Sequence, residues 1–170
     1  MDAHEDFDEF VATRWVRLFR LAYLLTGDEV LAEQLLRTAL ERSFAQWPKV
    51  AQTESPEAHV RRLMVQAVVG VHHRRVGPRH TRLRSVGPER PVGSEESHPI
   101  DHLLLWSLVC ALPAGERAVV VLRFSENLTE AATAEELGCS VRTLRSLTHN
   151  AMRALRRGLG ATRTREVVEG

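Results

Sequence analysis

Apolar residues recur at helical spacing through most of the chain, and glycine, proline and capping residues divide these stretches into separate helices. The predicted helices cover residues 7–26, 29–46, 55–75, 100–112, 116–124, 129–137 and 140–157. No stretch shows the strict alternation of apolar and polar residues that a half-buried strand requires. The pattern therefore predicts an all-α protein.

The inward face of each helix follows from the same spacing. In the first helix the predicted inward residues are Phe7, Phe10, Val11, Trp15, Leu18, Phe19, Ala22 and Leu25. In the last helix they are Val141, Leu144, Thr148, Ala151 and Leu155. We expect Trp47-Pro48 to end the second helix, because a residue before proline disfavours helical geometry. Ser55 and Pro56 then provide a cap and a first-turn proline for the third.

Residues 128–157 have the parts of a helix-turn-helix. Thr129 is a suitable N-cap for a short helix, Gly138 can adopt the left-handed conformation that ends it, and Ser140 is a suitable N-cap for the next helix. The polar face of that next helix contains Arg142, Arg145, Ser146, His149, Asn150 and Arg153. A helix of this kind can enter a DNA major groove. The alternative is an ordinary helical pair with solvated arginines. Seven arginines and no acidic residue between positions 140 and 165 favour DNA binding.

A change of composition divides the chain. Residues 77–99 are rich in glycine, proline, serine and arginine and have no apolar period, as is typical of a flexible linker. We therefore predict a helical domain over residues 1–76, a flexible basic linker over 77–99, a helix-turn-helix domain over 100–160 and a tail over 161–170.

Composition narrows the functional classes only slightly. The hydrophobic fraction of 44% and the charged fraction of 26% are ordinary for a globular protein, and the net charge is +1. The acidic start and the lack of a long apolar run favour a cytoplasmic protein without a signal peptide or membrane span. Neither the two cysteines nor the histidines at 72, 73, 98 and 102 have convincing metal-ligand spacing, and no catalytic set is present. We expect no enzyme activity, cofactor or metal.

Several short motifs, in this order, resemble the extracytoplasmic-function (group four) sigma factors of bacterial RNA polymerase, and most closely an actinobacterial sigma-E-like subgroup. In the first half they are FDEFV from residue 7, AYLLTGD from residue 22, and SPEA followed by VRR from residue 55. In the second half they are ALP from residue 111, ERAVVVLRF from residue 116 and EELGCSV from residue 135. The resemblance covers about residues 5–157 and implies a sigma factor that binds core RNA polymerase and promoter DNA, with an anti-sigma factor as an open further partner.

The resemblance also implies site residues. The upstream promoter element would be read by Arg142, Thr143, Arg145, Ser146, His149 and Arg153. The downstream element, where the family captures an unstacked base, would be met by Arg61, Arg62, Gln66, His72, His73, Arg74 and Arg75. The polymerase would be contacted by Asp28, Glu33, Leu36, Arg37 and Leu40.

The chain departs from the family pattern in both domains. Residues 31–37 read LAEQLLR, so two of the usual carboxylates are missing and an arginine is added. Gly70 weakens the third helix by about 1 kcal/mol relative to alanine, and Thr133 and Asn150 replace an expected isoleucine and arginine. Two alternatives therefore stay open: a sigma-like DNA-binding regulator or adaptor that does not melt promoters, and a module that binds a regulatory protein.

Overall fold

The computed structural model describes the backbone of residues 3–75 and 99–169, and the side chains of residues 4–70 and 102–160. The regular secondary structure in these ranges is helical. Its α-helices are α1 (Ala3–Thr26), α2 (Glu29–Phe44), α3 (Trp47–Val50), α4 (Pro56–Arg75), α5 (Pro99–Cys110), α6 (Ala114–Val120), α7 (Glu130–Leu137) and α8 (Val141–Glu169), with a π-helical turn at Val121–Ser125. The all-α prediction is confirmed.

The predicted capping residues end or begin the helices as expected. The Thr129 hydroxyl accepts a hydrogen bond from the Ala132 N–H at 3.2 Å, and the Ser55 hydroxyl accepts one from the Ala58 N–H at 3.1 Å. Gly138 has a φ of +65°, the left-handed conformation that a glycine adopts without strain. These local signals explain why helix boundaries are readable from the sequence.

Near Pro48 and beyond Arg157 the helices differ from the prediction. Pro48 lies in the first turn of the short helix α3, where proline is tolerated because its missing N–H has no intrahelical partner. α8 continues through Gly158 and Gly160 to Glu169, so residues 161–169 extend the helix instead of forming a separate tail.

The two helical halves of the chain share one apolar cluster. Helices α1, α2 and α4 form most of it, around fully buried residues such as Leu18, Leu36 and Met64. Ala118, Val121 and Leu122, from α6 and the π-helical turn, are buried in the same cluster. The predicted halves therefore pack directly against each other.

Two smaller clusters complete the second half. Val109 and Leu112 pack with Ala151 and Leu155, which joins the α5 region to α8. Val119, Ala134 and Leu144 form the other cluster, which fixes α7 and α8 against α6. Apolar contacts on the buried faces of α7 and α8 thus hold the helix-turn-helix against α5 and α6.

Some residues predicted to face inward are exposed, among them Trp15 and Val141. Trp15 is 40% exposed and stacks on Phe19 at the edge of α1, with ring centroids 6.3 Å apart. Val141 is 36% exposed because it is the first residue of α8 and precedes the buried contacts of that helix. No helix in the described ranges combines the length and apolar composition of a membrane span.

Replacing Gly158 by alanine should loosen the contact between α5 and α8. An added Cβ would lie 2.4 Å from Leu108 Cδ2, so the Leu108 side chain or one of the helices must shift. We expect a loss of about 1–3 kcal/mol in the free energy of unfolding, measured by urea denaturation. Gly160→Ala is the matched control, because nothing lies within 4 Å of a Cβ at that position. Equal stability of the two variants would contradict this packing.

Candidate nucleic-acid interface

The polar face predicted for the last helix is present at the start of α8. Ser140 caps the helix by accepting from the Thr143 N–H at 3.1 Å, and its hydroxyl lies 2.9 Å from the Thr143 hydroxyl. All six upstream-element candidates in this helix are exposed: Arg142, Thr143, Arg145, Ser146, His149 and Arg153. Several of them line a shallow depression together with Val141 and Asn150. The structure therefore brings these side chains together on one accessible surface.

Arg145 is held by one weak contact within this surface. Its Nε lies 3.0 Å from Glu130 Oε2, and the two side chains are 69% and 43% exposed. Solvent screens such a pair, which contributes on the order of 1 kcal/mol or less. The guanidinium of Arg145 can therefore exchange Glu130 for another hydrogen-bond acceptor at low cost.

The downstream-element candidates are arranged differently from the prediction. Arg61 donates from Nε and Nη2 to Glu136 Oε1 at 3.1 and 2.8 Å, and Arg62 Nη2 lies 2.7 Å from Glu135 Oε1. Both glutamates belong to α7 in the other half of the chain. These two arginines therefore face the helix-turn-helix in this structure, and their role at DNA stays a prediction.

The remaining members of that predicted set are only partly described. Gln66 is exposed on α4. The side chains of His72, His73, Arg74 and Arg75 lie outside the described residues, although their backbone belongs to α4.

The Arg61 contact belongs to a larger chain of ion pairs. Glu126, which follows the π-helical turn, lies 3.8 Å from Arg61 Nη1 and 3.6 Å from Arg17 Nη2. Arg17 in turn lies 2.9 Å from Glu57. Helices α1 and α4 are thereby joined electrostatically to the turn before α7. The sequence analysis missed this role for the acidic residues, since pairs so far apart in sequence leave no local signal.

The predicted polymerase-binding residues separate into two groups. Glu33 and Arg37 form an exposed pair at 2.7 Å, and Asp28 is the N-cap of α2. Leu36 and Leu40 are buried, at 0% and 8% exposure, so they stabilise the core and cannot contact a partner in this structure. The prediction that Leu36 and Leu40 contact the polymerase is therefore corrected. The family resemblance identified α2 as the helix but did not identify which of its faces is exposed.

Arg117 is a site residue that the sequence analysis did not identify. Its Nη1 donates to the carbonyls of Leu25 and Thr26 at 3.4 and 2.8 Å, at the end of α1. Its Nη2 donates to the carbonyls of Cys110 and Leu112 at 2.5 and 3.2 Å, at and after the end of α5. The residue is only 9% exposed, and burial lowers the pKa of its guanidinium.

The negative ends of two helix dipoles offset the buried charge of Arg117. Free carbonyls at a helix C-terminus carry partial negative charge and attract a cation. Helix α1 belongs to the first half of the chain and α5 to the second, so one guanidinium connects both. Burial also raises the pKa of the neighbouring Cys110 thiol, although Arg117 opposes this, so the thiol stays protonated at neutral pH.

The described side chains include neither a cluster suited to a metal ion nor a disulfide. No group of three His, Cys, Asp or Glu side chains in residues 4–70 and 102–160 could hold a metal ion. Both cysteines are free. The exposed arginine face of α8 is the strongest candidate site in this part of the chain.

Comparison with known proteins agrees with this geometry. The family model "Sigma-70, region 4" matches residues 102–155. The RNA polymerase sigma-E factor of Streptomyces coelicolor is 34% identical over 160 residues, which cover 92% of this chain and 87% of that protein. The ECF RNA polymerase sigma factor SigL of Mycobacterium tuberculosis is 30% identical over 168 residues, covering 92% of this chain and 90% of that protein.

A solved structure has a similar fold. It is the sigma factor RpoE in complex with the anti-sigma factor NepR from Bartonella quintana, with a TM-score of 0.65. The match covers 92% of this chain and 98% of that one at 17% sequence identity. At this identity the likeness concerns the fold alone.

Arg117→Met should destabilise the chain by about 2 kcal/mol, because several buried carbonyls at two helix ends would lose their donor. Arg117→Lys keeps the charge but not the forked geometry, so we expect it to recover only part of the loss. Arg20→Met is the control, since Arg20 is exposed on α1. Urea denaturation checks the result, and a Met variant as stable as the control would contradict the role given to Arg117.

Proposed function

This chain belongs to the extracytoplasmic-function family of RNA polymerase sigma factors, and we propose that its helix α8 reads the upstream promoter element. Members of this family bind core polymerase and direct transcription initiation at specific promoters. The observation that carries the proposal is the exposed polar face at the N-terminal end of α8. Arginine can bond bidentately to guanine in the major groove, and serine or threonine can bond to bases or phosphates.

Helix α4 is proposed to meet the downstream element. Gln66 is accessible, and Arg61 and Arg62 carry the charge that would hold the DNA backbone. Base capture would depend on guanidinium and imidazole planes, because residues 56–75 contain no phenylalanine, tyrosine or tryptophan.

The outer face of α2 is proposed to dock on the polymerase. The exposed pair Glu33–Arg37 supports this role, and Val30 and Leu31 add apolar surface at 63% and 40% exposure. Val30 and Leu31 replace the buried Leu36 and Leu40 in the proposed surface. Since polymerase and chromosomal DNA are cytoplasmic, we propose that location for this chain, with an anti-sigma factor as a further partner.

One observation favours a second function, that of a sigma-like regulator that binds DNA without melting it. Arg61 and Arg62 are paired with α7, and the helix lacks aromatic residues for stacking on an unpaired base. Such a protein would bind the upstream element through α8 and leave the duplex closed.

Run-off transcription with core polymerase and a promoter obtained by selection from random DNA separates the two functions. A sigma factor should yield transcripts of defined length and permanganate-reactive thymines in the melted region. Polymerase recruitment without transcripts or reactive thymines would favour the regulator. Lack of affinity for polymerase would contradict both the α2 surface and the sigma assignment.

Arg145→Ala should weaken binding to the selected upstream element by about 1–3 kcal/mol and relax the base preference at one position. The reason is that a contact to a base edge distinguishes sequences, whereas a contact to phosphate does not. Competition binding against a library of single-base variants measures both effects. Arg156→Ala, at an exposed position further along α8, is the control. Equal weakening on every sequence would make Arg145 a phosphate contact instead.

A further inference from the structure

We propose that Glu130 is a specificity-determining residue that acts through Arg145, by holding its guanidinium in the orientation that reads a guanine. The inference rests on the proposed role of Arg145 at the upstream element. Glu130 belongs to α7 and Arg145 to α8, so the contact lies within the helix-turn-helix and does not involve the first half of the chain.

The contact between the two side chains leaves the end of the Arg145 guanidinium free. Its Nε donates to Glu130 Oε2 at 3.0 Å, and neither terminal nitrogen has a hydrogen-bond partner among the side chains described for residues 4–70 and 102–160. A guanidinium has one hydrogen on Nε and two on each terminal nitrogen. The two terminal nitrogens can therefore donate to guanine O6 and N7 while Nε stays bonded to Glu130.

Glu130 is itself fixed in position by the start of its helix. It is the first residue of α7, and the hydroxyl of the preceding Thr129 caps the helix by accepting from the Ala132 N–H at 3.2 Å. A carboxylate in the first turn of a helix also interacts favourably with the helix dipole. Glu130 is thus a well-placed anchor for a long, flexible arginine.

Arg142, on the same polar face of α8, provides a contrast. It has no ion pair among the side chains that the structure describes, whereas Arg145 is paired with Glu130. Arg142 can therefore turn toward a phosphate without losing a partner. Arg145 must give up Glu130 to do the same.

The contact increases selectivity because it opposes only one of the two ways in which Arg145 can bind DNA. Turning the guanidinium toward a phosphate breaks the bond to Glu130, and the carboxylate repels a phosphate brought close to it. A terminal contact to guanine keeps the bond. Phosphates are present at every sequence and carry no sequence information. Since the Arg145 and Glu130 side chains are 69% and 43% exposed, the effect on a ratio of affinities is at most about fivefold.

The test measures base preference with holoenzyme formed from the full chain and core polymerase, by competition between the selected promoter and its single-base variants. The position read by Arg145 is the one at which Arg145→Ala loses preference. At that position Glu130→Ala should reduce the preference for guanine roughly threefold, because the other bases bind more tightly. Glu130→Gln should keep most of the preference, since its amide oxygen can still accept from Nε. Glu9→Ala, at an exposed position of α1, is the control.

A double-mutant cycle determines whether Glu130 acts through Arg145. In an Arg145→Ala background, Glu130→Ala should no longer change the base preference. An unchanged preference in the single variant, an equal change in both backgrounds, or a glutamine variant as unselective as the alanine variant would overturn the inference and leave Arg145 its proposed role. If Arg145→Ala loses preference at no position, the proposed role of Arg145 fails, and this inference fails with it.

Salt dependence gives a second readout, which a purely structural role of Glu130 at the start of α7 would not change. On a duplex without the upstream element, Glu130→Ala should steepen the fall of log affinity with log salt concentration by about one, because Arg145 becomes free to neutralise a phosphate. The added slope should be absent in the Arg145→Ala background. Equal slopes for the parent and Glu130→Ala would overturn the inference.

Discussion

The buried guanidinium of Arg117 is the contact on which the arrangement of this molecule depends. It donates to carbonyls at the ends of α1 and α5, one from each half of the chain. A single cation thus stabilises two helix C-termini, and no carboxylate among the side chains that the structure describes pairs with it. This contact holds α6 in place, and α6 carries Ala118 into the shared core. The positions of α7 and α8 follow from that packing.

The two surfaces proposed to bind DNA differ in their exposure. The polar face of α8 is exposed, and its principal residue Arg145 has only a screened partner. Arg61 on α4 is enclosed by Glu136 and Glu126. One of the two proposed DNA-binding surfaces is therefore accessible in this structure, while the arginines of the other are paired within the chain.

Local features of the fold could be predicted from the sequence, because each depends on neighbouring residues. The cap at Ser55, the left-handed Gly138 and the exposed polar face of α8 all follow from spacing and residue chemistry. Long-range features could not be predicted. Arg61 and Glu136 are 75 residues apart, and a basic residue on a helix looks the same in sequence whether it faces DNA or a carboxylate. Leu36 lies in α2, the helix predicted to bind the polymerase, but on its buried face.

The distance between the two halves tests the central claim most directly. Spin labels at the exposed positions Gln52 and Ser107, in a chain whose native cysteines are replaced by serine, allow this distance to be measured by pulsed electron resonance. The packed arrangement of the two halves predicts one short, narrow distance distribution in the free protein. A broad, long distribution would contradict it.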